Sequence, residues 1–200
     1  MAESRPGISK PRKVGGDGEP EIFCADEQSD IEIDLSRWQN LALHVLSAEG
    51  VRGAAEMTIV FVNQLSMSEL NEQYMGIPSA TDVLAFPLDA VDAARTPGPG
   101  AMTKGPSRVS LDIHELPLLL GDVVICPSVA AKQAITHAGN LDDEIALLIV
   151  HGMLHVLGAD HDTPESTKTM RAREVELLEA HHWNGPAPKD FRQDHPEGSQ

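Results

Sequence analysis

The sequence predicts an α+β domain, and three observations predict it. Four runs carry strand patterning, five carry helical caps or periodicity, and the two kinds interleave through the middle of a 200-residue chain. Hydrophobic residues make up 41% of the chain and cluster in runs of Val, Ile and Leu, enough for a packed interior. Domains commonly run to about 100–150 residues, so this length fits a single domain with tails. Only 4% of residues are aromatic, so that interior must be mainly aliphatic.

Residues 1–29 combine Gly, Pro, Ser and charge with little that is apolar, and the same holds for 185–200. Such composition does not offset the entropy of ordering, so both stretches are expected as mobile tails around one domain at 30–184. Within that domain Ile31-Glu-Ile-Asp34 alternates as a short strand, and Ser36 with Gln39 has the spacing of a capping box. Trp38, Leu41, Ala42, Val45 and Leu46 then line one face of a helix to about Ala48. Met57–Val62 is a β-branched second strand, and Ser66 with Glu69 opens a helix that Gly76 should stop. Leu65 and Leu70 are placed as its hydrophobic staple.

Thr81–Phe86 is a third strand closed by Pro87, followed by a long loop from Leu88 to about Glu115 that is rich in Ala, Pro and Gly. Leu119–Cys126 is the fourth strand; Ser128 opens a helix ended by Gly139, and Asn140, Asp142 and Asp143 mark the start of the next. A last helix begins with Thr163 as N-cap and Pro164 in the first helical position, with Met170, Leu177 and Leu178 facing inward.

The formal charge of −16 opposes broad electrostatic gripping of nucleic acid, which needs clustered Lys and Arg. The apolar run Ile145–Val150 is far below the roughly 20 residues that span a bilayer, and no apolar run near the N-terminus suits a signal peptide. A cytoplasmic protein without a membrane partner is expected. Cys24 and Cys126 lack the spacing of a disulfide framework or a cysteine zinc site.

The chemistry sits in His151-Gly-Met-Leu-His155-Val-Leu-Gly158-Ala-Asp-His161. Residues four apart on a helix stack on one face, so His151 and His155 can present two imidazoles to one ion. Gly158 can turn the chain at the helix end and return His161 as a third ligand. Three protein ligands leave a position for water, the pattern of a catalytic zinc site. Zinc proteases share these offsets but carry glutamate after the first histidine, where this chain has Gly152, so their general base is missing. Asp160 and Asp162 flank His161; Asp160 is the candidate proton carrier, against an even chance of a turn role, and Asp162 fits the turn role better. His44, His114, His137, His181, His182 and His195 suit surface or capping positions better than a fourth ligand.

Together with GDVVICPSVAAKQA and TDVLAFP, the block HGMLHVLGADH resembles the YbeY family of bacterial rRNA-maturation endoribonucleases, over roughly Ile31 to His181. The resemblance implies a small mixed sheet flanked by helices, one zinc ion on His151, His155 and His161, and cleavage of single-stranded RNA. It further implies a role in 16S rRNA 3′-end maturation and ribosome quality control, with rRNA and the small ribosomal subunit or its proteins as partners. It leaves the oligomeric state open.

Many family members have arginine directly after the tyrosine of the LNxxY segment, where this chain has Met75 after Tyr74. Charge on the phosphate must then be met by zinc and another base such as Lys132 or Arg108. Asp82 suits either a place near the metal cleft or a turn. Two other readings remain at this stage: a zinc-stabilised ribosome assembly factor with little catalysis of its own, and a zinc hydrolase of peptides or amides.

Overall fold

The computed structural model describes residues 18–88 and 117–193. Four strands, β1 (Glu21–Asp26), β2 (Ala55–Phe61), β3 (Val83–Pro87) and β4 (Leu118–Ile125), form one sheet in the order β1-β2-β4-β3. β1, β2 and β4 run parallel and β3 is antiparallel to β4, so the sheet is mixed, as expected. Among the described residues five helices accompany the sheet: α1 (Leu35–Ala48), α2 (Gln64–Met75), α3 (Pro127–Gln133), α4 (Leu141–Val156) and α5 (Pro164–His181).

Alternation along the strands divides the interior in two. Met57, Ile59 and Phe61 of β2 and Val123 and Ile125 of β4 face α1, α4 and α5 in the main core. The opposite face buries Leu84 and Val124 against Met67 of α2. Helix α4 lies in the centre of the main core, with every residue from Asp143 to Val150 buried. Removing one of its large side chains, as in Leu148→Ala, is expected to cost about 2–5 kcal/mol.

Local structure departs from the sequence reading in places with clear causes. The first strand is Glu21–Asp26, so the domain begins before residue 30 and the expected tail is ordered from Gly18; residues 1–17 lie outside the described residues. Only Ile22 of that strand is buried; as an edge strand it needs little apolar surface. Ile31–Asp34 is not a strand but the approach to α1. Asp34 caps that helix, accepting from the Arg37 amide at 3.1 Å, while Ser36 donates to the same carboxylate and Gln39 reaches the Ile22 carbonyl at 2.7 Å.

Asn63, not Ser66, caps α2 by accepting from the Ser66 amide at 2.9 Å, which leaves Leu65 on the surface at 70% exposure. Gly76 ends that helix in the left-handed conformation, as expected. The helix expected from Ser128 to Gly139 is regular only over Pro127–Gln133 and then breaks into turns. The loop at 88–115 lies outside the described residues beyond Leu88. At the other end, 185–193 is no free tail: Phe191 packs edge-on against Trp183 with centroids 4.7 Å apart, and Arg192 donates its amide to the His137 carbonyl.

Candidate metal centre

His151 and His155 sit one turn apart near the C-terminus of α4, and their ring centroids lie 4.6 Å apart. The helix ends through Gly158 at φ 92°, with the Gly158 amide on the His155 carbonyl and the Ala159 amide on the Leu154 carbonyl. A left-handed residue at this position turns the chain back. His161 arrives on that return, its centroid 4.8 Å from His155 and 5.8 Å from His151. One ring nitrogen from each histidine lies within 4.8 Å of the other two. Hydroxyl donation from Thr167 to the His161 carbonyl at 2.9 Å ties the third histidine to the first turn of α5.

The nitrogens that point away from the cluster are engaged. His151 Nδ1 lies 2.8 Å from Glu174 Oε1, and His155 Nδ1 lies 3.1 Å from the Ala159 carbonyl. Each acceptor calls for a proton on Nδ1, which leaves the Nε2 lone pair for an ion. Glu174 is 3% exposed, and its other oxygen accepts from Gln193 Nε2 at 2.8 Å. Burial, then the neighbouring His151 and His161, push the His155 pKa down to about 4. A neutral imidazole is the form that binds metal, so the donor set fits a borderline cation such as zinc.

Gly152 also has a structural cause. A Cβ there would lie 2.6 Å from Val123 Cγ1 and 3.4 Å from Val83 Cγ2. The helix therefore rests directly on the sheet where a protease-type glutamate would have to project. Asp160 is exposed beside His161 and accepts from the Asp162 amide at 3.1 Å. Desolvation, the largest single influence, raises its pKa, but hydrogen bonds from the His161 and Asp162 backbone and from the Asp162 side chain together outweigh it and lower the pKa below the ordinary value. Asp162 is likewise exposed.

Asp82 is buried and accepts from the Val83 amide at 2.8 Å and the Thr81 hydroxyl at 3.0 Å, contacts of a turn residue. His137 is not a surface residue: it is buried with Nδ1 3.4 Å from Glu144 Oε1, and desolvation pushes that carboxyl's pKa up. His182 is also buried, with Nε2 2.7 Å from Asp143 Oδ1. His44 and His181 stack on each other at 5.2 Å, and Lys132 is exposed on α3. His114, His195 and Arg108 lie outside the described residues.

Sequence reading missed Glu174 and Gln193. Glu174 does leave a trace, as a carboxylate inside the inward stripe of Met170, Leu177 and Leu178, where burial demands a partner. A surface cleft lined by Trp38, Leu141 and Ile145 lies at the other end of α4, with the Arg37–Asp142 ion pair, 2.6 Å long, in its lining. Donor chemistry, not concavity, marks the site.

Three convergent imidazoles on a helix and its exit turn, each of the first two oriented by a hydrogen bond, define the class: a domain whose three-histidine cluster could hold a metal ion. Residues 23–182 match the family Endoribonuclease YbeY, and the chain belongs to it. The match begins within β1, at Phe23, earlier than the limit read from motifs. Relatives named Endoribonuclease YbeY include one from Salinispora tropica, 41% identical over 151 residues, covering 76% of this chain and 90% of that protein. One from Acidothermus cellulolyticus is 40% identical over 154 residues, covering 76% and 87%, and one from a Mycobacterium species is 39% identical over 152 residues, covering 76% and 78%. Among the described residues no helix is long and apolar enough to cross a membrane.

Proposed function

We propose that this protein is a zinc-dependent endoribonuclease specific for single-stranded RNA, acting in the cytoplasm on the 3′ end of 16S rRNA and in ribosome quality control. The observation that carries this reading is the cluster of His151, His155 and His161, with two of its three rings fixed through Nδ1, in a chain of the YbeY family. His151, His155 and His161 would hold the zinc, and when bound it would supply Lewis acidity toward a phosphate oxygen and a water.

The protein's own groups do the rest. Glu174 and the Ala159 carbonyl hold the first two rings in the tautomer that presents Nε2. Asp160, ionised and solvent-facing, is positioned to take a proton near His161 and is the proposed general base. Gly152 removes the alternative base that peptide hydrolysis would use. With a charge of −16, the protein relies on local contacts and on the small ribosomal subunit or its proteins to place the rRNA.

The test is His155→Ala in a protein shown to stay folded, read by cleavage of a single-stranded RNA and by mapping 16S rRNA 3′ ends in cells that carry only this variant. Loss of both is expected. Normal 3′ ends would sink the catalytic reading in favour of an assembly factor, and cleavage of an unstructured polypeptide in place of RNA would sink the substrate. Elemental analysis that finds another metal at the site would remove zinc.

A further inference from the structure

The strongest unassigned feature near the metal helix is an aromatic pair on the far side of β3. Tyr74, in the last turn of α2, meets Phe86 of β3 edge-to-face with ring centroids 4.8 Å apart and an interplanar angle of 61°. Phe86 rests on the smaller core cluster that includes Leu84 and Val124, so its ring is held in place. Tyr74 remains 56% exposed, and Met75 and Leu88 beside the pair in sequence are 53% and 48% exposed. A single exposed aromatic is unremarkable on a protein surface. An exposed ring buttressed by the edge of a second is a preformed flat surface.

Position gives the pair its meaning. Among the described residues β3 is the last strand of the sheet. On the inner face of that strand, Val83 lies against Gly152, between the first two histidines. Gly121 of β4 abuts both the Phe86 carbonyl and Val156, the residue after His155. One strand therefore separates the aromatic pair from the metal helix. An RNA strand crossing β3 would have a phosphate on the histidine side and a base on the tyrosine side.

We propose that Tyr74, buttressed by Phe86, is a stacking platform for an unpaired base of the RNA substrate, next to the scissile phosphate; this rests on the endoribonuclease reading. Chemistry favours a base over other occupants. A strongly acidic chain whose residue 75 is Met holds RNA poorly through charge, whereas stacking on a π-face is indifferent to charge and tolerant of sequence. Tyr74 is thus a binding residue that sets KM, not a participant in bond cleavage.

The experiment uses the full zinc-loaded chain and short single-stranded RNAs carrying 2-aminopurine at successive positions. With the native protein, emission is expected to be quenched at one position near the cleavage site. Tyr74→Ala should abolish that quench and raise KM about tenfold, within the range for loss of one base stack, with kcat changed by less than about twofold. Tyr74→Phe should restore both, and Tyr74→Leu, which keeps apolar bulk without a π-face, should not. An unchanged KM and quench in Tyr74→Ala, a loss confined to kcat, or full activity in Tyr74→Leu would each overturn the platform. Failure of the nuclease reading is distinguishable, because it appears as undiminished cleavage by His155→Ala whatever Tyr74 does.

Discussion

Two histidine–carboxylate pairs tie α4 to α5 and the chain that follows it, and they do opposite things. Toward the N-terminus of α4, His182 meets Asp143 through Nε2 at 2.7 Å; toward its C-terminus, His151 meets Glu174 through Nδ1 at 2.8 Å. The lengths are nearly equal, and the carboxylates are comparably buried. Asp143 also accepts from Trp183 Nε1 at 2.7 Å and from Asn140, and the His182 ring stacks near Trp38 at 6.2 Å. Such a pair is a structural clamp. At the other end the choice of Nδ1 turns Nε2 outward, toward two more imidazoles. Which ring nitrogen is committed, and not the presence of a His–carboxylate pair, separates a strut from a metal centre.

The sharpest way to break this comparison is to remove the third ligand. His161→Ala should lower zinc affinity by more than the roughly 10–100-fold expected for losing a supporting hydrogen bond, while melting temperature without metal stays put, as calorimetry and metal titration can show. Asp143→Ala should do the reverse. It leaves the partly buried His182 and Trp183 ring nitrogens without their acceptor, so about 2–4 kcal/mol of stability is lost in denaturant unfolding, with zinc affinity nearly unchanged. An equal loss of affinity would erase the distinction between the two pairs.

Glu174→Gln is the intermediate case. It keeps shape but loses the charge that fixes the His151 tautomer, and zinc affinity is expected to fall about 10–100-fold with little change in fold. The smallest effect is that of acid on the metal-free protein. With the His155 pKa depressed to about 4, the unfolded chain binds that proton first, near the ordinary value of 6.5. Stability from this group is therefore complete above about pH 6.5 and declines as the pH falls toward 4. Following the His155 ring by NMR in metal-free protein should give a midpoint near 4, and a midpoint above 6 would remove this contribution.

The histidine cluster was legible in sequence because all three residues lie within eleven positions, where helix periodicity and one glycine dictate geometry. Glu174 was not, since its role depends on how α5 packs back on α4, and Gln193 less still. The helix starts at Asn140 and Thr163 were legible from their caps, which bond the Asp143 and Ser166 amides as expected. Ile31–Asp34 and Glu21–Asp26 were interchanged for a physical reason. Alternation alone favours the first, but an edge strand needs only one buried side chain, and parallel pairing with β2 chose the second. The expected capping boxes at Ser36 and Ser66 failed because Asp34 and Asn63, slightly earlier in the chain, offered better acceptors.

The compactness of the histidine segment bears on how the ion and the fold depend on each other. A crosslink stabilises a protein chiefly by shrinking the conformational freedom of the unfolded chain, and the gain grows with the length of chain it closes. Here the links run only from one helix turn to its own exit, so they restrict a short stretch that α4 already restricts. The long-range join in this region is made by protein groups, His151 to Glu174 and Glu174 to Gln193. An ion held by these three histidines would therefore leave the folding of the domain to the protein's own long-range contacts.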